Sequence, residues 1–271
     1  MITNIMQKPI PACLGHHTSF KNLCSILTSG IGKNQEICFW AFSNMYKNDE
    51  EEIELGLKLQ AIVDAEMRKI SDKSMFQKAG GYKQSASISF MEGESTLYML
   101  RNYGAFRLDF DFRHIEAIGL ADFLDCEYVN KNDIEEYGLE YASMICTKFQ
   151  ELYNNRNNPE RFSNSNITNL FDYIMMDIDL LRKPLIVKEY KWHNECEWRK
   201  IIQIKEGDVD IYSKENRPFK KVYYPIKTLT GVTLLFDTKN YFHSLINVLK
   251  LFFFTVSHAF MWKKKIKIVR I

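Results

Sequence analysis

The stretch Glu195-Cys196-Glu197-Trp198-Arg199-Lys200-Ile201-Ile202-Gln203-Ile204 constrains the fold most. Its tail is apolar and β-branched, which predicts a strand entering a sheet. Alternate side chains of a strand share a face. Glu195, Glu197 and Arg199 are therefore expected on one face, with Cys196, Trp198, Ile202 and Ile204 on the apolar opposite one. Two carboxylates and a guanidinium on one face make either a solvated ladder of cross-strand ion pairs or a site.

The remaining elements decide what surrounds that strand. Ala12 to Thr18 reads as a short strand ending in His16 and Thr18, and Ser19 or Thr18 caps a helix over Phe20 to Ser29. Glu36 to Phe42 is a second strand. The acidic run Glu50-Glu51-Glu52 suits the first turn of a helix that turns Ile53, Leu57, Val63, Met67 and Ile70 inward. Strands follow over Gln84–Phe90 and Ala105–Phe112, separated by a short helix through Leu97 and Leu100, and another strand lies near Cys126–Val129. An amphipathic helix is expected from Asp133 to about Leu152, then the polar linker Asn154–Arg161 and a helix over Ile167–Leu181. Val209–Tyr212, Lys221–Tyr224, Gly231–Phe236 and Lys265–Ile271 are strand-like, with a helix over Asn240–Phe253 between the last two. Strands at both ends with helices between them predict an α+β chain. The expected form is a single domain over 1–271, with a mixed or antiparallel split β-sheet core flanked by helices and a helical insertion at about 131–182.

Composition excludes little. At 271 residues with 46% hydrophobic content, the chain can bury a sizeable core. A net charge of +2 gives no overall field for nucleic acid. Six scattered cysteines contain no C-x-x-C pair and no histidine at zinc-ligand spacing, so reduced thiols and a cytoplasmic setting are expected. Met1 to Ile5 lacks the basic and apolar regions of a signal peptide. Leu251 to Trp262, followed by Lys263, Lys264 and Lys265, is too short for a transmembrane segment. It is expected as a buried C-terminal element in preference to a membrane-surface anchor.

Three polar pairs sit two apart on strands: His16 with Thr18, Ser87 with Ser89, and Glu195 with Glu197. Serine-type catalysis lacks a G-x-S-x-G elbow. Metal-assisted hydrolysis through His16, His17, Asp49 and the glutamates lacks a tight ligand motif, so no metal site is expected. Glycosidic cleavage suits these residues better. Breaking a ribosyl–nicotinamide bond builds positive charge on the sugar, which a nearby carboxylate stabilises. A histidine and a hydroxyl on a neighbouring strand can position the ribose, and an aromatic ring can stack on nicotinamide.

The H-x-T of His16-His17-Thr18, the serine strand through Ser89, and E-x-E at Glu195/Glu197 resemble, in that order, elements of NAD-dependent ADP-ribosyltransferases. More fully, the chain resembles a widespread bacterial domain family of unknown function. Its pattern reads here as His16-His17-Thr18, Asn48-Asp49 with Glu52, Ser89-Phe90, Leu100 to Tyr103-Gly104, and Lys188 through Trp192, Glu195, Glu197 and Arg199. His17 replaces the usual aromatic and Leu100 a common tryptophan, which leaves Tyr98, Tyr103 and Trp40 eligible as the stacking ring.

The resemblance implies an ADP-ribosyltransferase-like fold and NAD as substrate. It makes Glu197 the catalytic carboxylate, Glu195 the residue that orients the acceptor, and His16 the ribose-binding residue supported by Thr18. Ser89 would shape the nicotinamide end, Tyr98 or Tyr103 would stack, and Arg199 would pair with a glutamate or a phosphate. The implied activity is ADP-ribosyl transfer or NAD hydrolysis by a bacterial toxin or antiphage-defence effector. A protein or nucleic-acid acceptor and a regulatory or antitoxin partner would accompany it. Two alternatives stay open: an inactive nucleotide- or nucleic-acid-binding sensor with the same fold, and a metal-dependent nuclease using basic residues around Arg156, Arg161, Lys188 and Lys191.

Overall fold

The computed structural model of the chain describes residues 8–30, 35–44, 50–70, 85–113, 123–154, 183–204, 210–212 and 217–271. The Asn48-Asp49 motif, Arg156, Arg161 and the helix expected over 167–181 lie outside these residues.

Strand β3 (Ser85–Met91) is the hinge of the sheet. One of its edges carries β8 (Glu197–Gln203) along the whole strand, from Ser85↔Gln203 to Met91↔Glu197. Its other edge is divided. Gly15 of β1 (Leu14–Thr18) pairs with Met91, while Phe42 and Ser43 of β2 (Glu36–Ser43) pair with Ser87 and Ala86. The sheet therefore forks. One arm runs β1, β4 (Phe106–Phe110), β11 (Leu229–Phe236) and β12 (Lys265–Arg270). The other runs β2, β10 (Arg217–Pro225) and β9 (Asp210–Tyr212). A short strand, β5 (Phe123–Asp125), extends the sheet beyond β8. Pairing is antiparallel except between β11 and β12, so the sheet is mixed, in keeping with the α+β class expected from the sequence.

Antiparallel register assigns the faces. Directly paired residues point the same way. Phe90 and Trp198 share one face, and Met91, Glu197, Ser89 and Arg199 share the other. On the first face Phe39, Phe90, Phe106, Phe110, Phe112, Phe123 and Trp198 form a buried aromatic core. It is covered by α1 (Phe20–Thr28), which Ser19 caps through the Asn22 N–H, and by α5 (Tyr241–Ser257). Ring centroids 4.8–5.9 Å apart link Phe90, Phe110, Phe112 and Phe123, two pairs edge to face, two tilted and one stacked.

The second face is covered differently. Helices α2 (Glu50–Met67) and α4 (Ile134–Asn154) pack together around Leu55, Leu59, Val63, Met67, Tyr141 and Ile145. A parallel pair, β6 (Glu127–Val129) and β7 (Val187–Glu189), joins them to the sheet. The buried stripe of α2 is thus Leu55–Leu59–Val63–Met67, whereas Leu57 and Ile70 are exposed, against expectation. Apolar residues occupy most positions from 53 to 63, so two stripes compete, and contact with α4 selects between them.

The C-terminal expectation also needs correction. Leu251, Phe254 and Met261 are buried, but Phe252, Phe253, Val256 and Trp262 are exposed, so only one face of this element is internal. No helix among the described residues is long and apolar enough to cross a membrane. The six cysteines form no disulfide.

Candidate functional site

The two glutamates meet, although not by strand alternation. Tyr190–Glu195 is a 3₁₀ helix, not a strand, and β8 begins only at Glu197. Between them Cys196 has φ 44° and ψ 50°, a left-handed conformation that costs an L-residue roughly 1–2 kcal/mol. This reversal brings both carboxylates to one cation. Lys188 Nζ donates to Glu195 Oε2 at 2.5 Å and to Glu197 Oε2 at 2.6 Å. Strained backbone of this kind persists where its surroundings hold it. Here the Glu92 N–H donates to the Cys196 carbonyl, the Cys126 N–H to the Glu197 carbonyl, and the Glu197 N–H to Tyr128 Oη.

Each glutamate has further partners. Arg199 grips Glu197 through Nε at 2.9 Å and Nη2 at 3.3 Å, and donates from Nη1 to the Leu185 carbonyl. Arg199 is therefore committed to Glu197, in keeping with a fork-shaped guanidinium on a carboxylate. Glu195 Oε1 accepts from Tyr98 Oη at 3.1 Å and Tyr103 Oη at 2.5 Å. Burial and the neighbouring Glu195 push both phenols up, so they stay protonated and donate. Lys188, Glu195, Glu197 and Arg199 are all 5% exposed or less. Tyr98 and Tyr103, on the short helix α3 (Leu97–Tyr103), are by contrast partly open to solvent, and Trp192 tilts against Tyr98 at 5.7 Å. The indole N–H of Trp192 is buried without a hydrogen-bond partner. Half-exposed rings thus lead inward, among the described residues, to a closed core of two anions and two cations.

Ser89 stands opposite Arg199 in the ladder, on the glutamate face. His16 does not. Its ring packs edge-on against Phe39 and Phe90 at 5.0 and 5.9 Å, in the aromatic core on the opposite face of the sheet. Its Nδ1 lies 2.9 Å from the Ser89 carbonyl. A carbonyl only accepts, so Nδ1 carries the proton. Burial lowers the His16 pKa, which keeps the ring neutral. Thr18 is buried and pairs with Phe106. The structure thus brings together Glu195, Glu197, Arg199, Tyr98 and Tyr103, with Ser89 on the same face, and separates His16 and Thr18 from them. Trp40, the remaining stacking candidate, stacks instead on Phe219 at 4.5 Å.

Lys188 and Tyr128 also belong to the network. Lys188 is not available as a phosphate contact, and Lys191 pairs with Glu189. A second buried polar group adjoins on the same sheet face. Arg107 Nε lies 2.7 Å from Asp109 Oδ1, Thr233 Oγ1 donates to Asp109 Oδ2 at 2.7 Å, and His17 faces Ser95 Oγ at 3.3 Å. A Cβ at Gly15 would overlap the Arg107 guanidinium and displace it. Burial and the Arg107 charge hold His17 down at about 3. In sequence, Arg107 and Asp109 alternate with Phe106, Leu108 and Phe110, which gives a strand but not what covers its polar face.

Among the described residues no three His, Cys, Asp or Glu side chains cluster as a metal site would need. No protein-family model, curated protein or solved structure matches the chain.

Proposed function

We propose that the Glu195–Glu197 corner is the reactive end of an NAD-consuming site that catalyses ADP-ribosyl transfer or NAD hydrolysis. The observation that carries this reading is the convergence of two carboxylates on Lys188 beside the half-open wall of Tyr98, Tyr103 and Trp192. A planar cationic ring such as nicotinamide stacks well on such a wall, and the unpartnered Trp192 N–H offers a donor to its carboxamide.

In this proposal the ribose C1′–nitrogen bond breaks with its electron pair passing to the nicotinamide nitrogen, which neutralises the ring. The sugar becomes oxocarbenium-like, and Glu197 stabilises that charge electrostatically. Glu195 holds the acceptor, or a water, by its attacking atom and takes its proton as the new bond to C1′ forms. For this, the Lys188 ammonium must yield part of its hold when substrate enters. Arg199 fixes the Glu197 carboxylate through that change. The effector role, toxic or antiviral, rests only on the resemblance in sequence.

One observation favours a second reading, a binding module without catalysis. Lys188, Glu195, Glu197 and Arg199 are buried and neutralise one another, as a structural ion network would. Incubation with adenine-labelled NAD, acceptor-containing lysate and a nicotinamide assay separates them. The enzyme reading expects free nicotinamide with label on an acceptor or as ADP-ribose. Binding of NAD with no nicotinamide released would support the module, and no binding would remove both.

A further inference from the structure

Helix α5 is apolar on two sides. Ser244, Asn247, Leu251 and Phe254 face the core. Phe242, Leu245, Leu249, Phe252, Phe253 and Val256 recur at helical spacing on the opposite side and are exposed. Phe242, Phe253 and Trp262 retain 75%, 64% and 70% of their accessible surface, far more than lone surface aromatics require. Trp262 is held at the end of this stripe by its indole N–H, which donates to the Thr255 carbonyl at 3.0 Å.

Charge is distributed to match. From Thr238 to Ile271 the chain carries Lys239, Lys250, Lys263, Lys264, Lys265, Lys267 and Arg270 and no Asp or Glu. These are seven of its 36 basic residues, leaving 29 against 34 acidic residues in the rest of the chain. The near-neutral whole thus conceals a cationic end on an acidic body. Lys264 is engaged in capping the Ile226 and Leu229 carbonyls, whereas Lys263, Lys265, Lys267 and Arg270 are exposed. Lysines on an edge strand also block strand-to-strand aggregation. That role explains Lys265 and Lys267, which pair with Gly231 and Thr233 on the sheet face away from α5, but not the aromatic stripe.

We propose that the outward stripe of α5, with Trp262 and the exposed cations Lys239, Lys250, Lys263 and Arg270 on or next to it, is a docking surface for an anionic lipid bilayer. Aromatic side chains would enter the headgroup–acyl boundary and lysines would sit among acidic headgroups, a division of labour that surface-bound helices use. Charge complementarity selects this partner. A second copy of the same surface would add further cations and, over Thr238–Ile271, no Asp or Glu to meet them.

The test is flotation of the full chain with phosphatidylcholine vesicles, alone or containing about one-third phosphatidylserine, at low and high salt. The chain should float with the anionic vesicles and detach as salt rises. Each cation at such a surface contributes about fivefold in binding, so Lys250→Glu with Lys263→Glu should lower partitioning by roughly 25-fold or more. Phe253→Ser should lower it as well, with an unchanged far-ultraviolet spectrum. Equal behaviour with neutral and anionic vesicles, or no flotation with either, would overturn the proposal. So would a dimer in sedimentation that Phe253→Ser dissociates.

Discussion

Lys188→Met tests the buried network through its energetics. The ammonium lies 2.5 Å from Glu195 Oε2 and 2.6 Å from Glu197 Oε2, so the two oxygens are at most 5.1 Å apart. Methionine keeps the volume of the stem and removes the charge between them. Two anions at about 5 Å repel by roughly 3 kcal/mol at an effective dielectric of about 20. Glu197 keeps Arg199, and Glu195 keeps only the hydroxyls of Tyr98 and Tyr103. The expected loss is therefore about 3 kcal/mol, at the lower end of the range for breaking a buried ion pair. Urea unfolding at pH 7, followed by far-ultraviolet dichroism, measures it. Adding Glu195→Gln removes one of the two opposed charges and should restore most of the loss, giving a coupling of roughly 2 kcal/mol. A loss below about 1 kcal/mol, or strict additivity of the two changes, would refute the reasoning, because exposed pairs behave that way.

Three further outcomes follow from named contacts. Gly104 has φ 117°, and a Cβ there would lie 2.5 Å from the Thr18 carbonyl oxygen, so Gly104→Ala should cost about 2 kcal/mol or more in thermal or urea unfolding. His17 is held near 3 in the folded state, below its unfolded value of about 6.5. The unfolded chain therefore binds the extra proton, and stability is lost as pH falls from about 6.5 towards 3. His17 alone should remove about 2 kcal/mol between pH 7 and pH 5, and His17→Gln should flatten that slope. His16→Phe keeps the ring contacts and loses one hydrogen bond, so it should cost about 1–2 kcal/mol while changing the KM for NAD by less than about twofold. A large rise in KM with unchanged stability would return His16 to ribose binding.

These outcomes mark where sequence reading succeeds. Strands β1, β2, β3 and β11 and helices α1 and α4 are legible because each has a clear period of 2 or 3.6 and local stop signals. Glu195 and Glu197 were expected together on a strand face. They are together, but through a 3₁₀ turn and a left-handed Cys196, for which Asn194 and Cys196 give no local signal. His16 and Thr18 are two apart and share a face as expected. Which face that is depends on the pairing of Gly15 with Met91 and of Met91 with Glu197, contacts separated by dozens of residues. The Arg107–Asp109–His17 group was missed because alternation looks the same whether the polar face meets water or a second layer. Helix α5 was misjudged for the opposite reason: a helix apolar on both sides has no period that identifies its outer face.

The most direct test of the NAD-consuming site compares the wild-type chain with Glu197→Gln, which preserves size and removes the charge. NAD binding is measured by calorimetry and nicotinamide release in parallel, with unfolding curves to establish that both proteins fold. The account predicts that the wild type binds NAD and releases nicotinamide. The variant should bind within roughly tenfold of the wild type and lose at least about 100-fold in release, the scale of one transition-state electrostatic contact. Full release by Glu197→Gln would contradict the assignment of that carboxylate, and absence of NAD binding by the folded wild type would contradict the site itself.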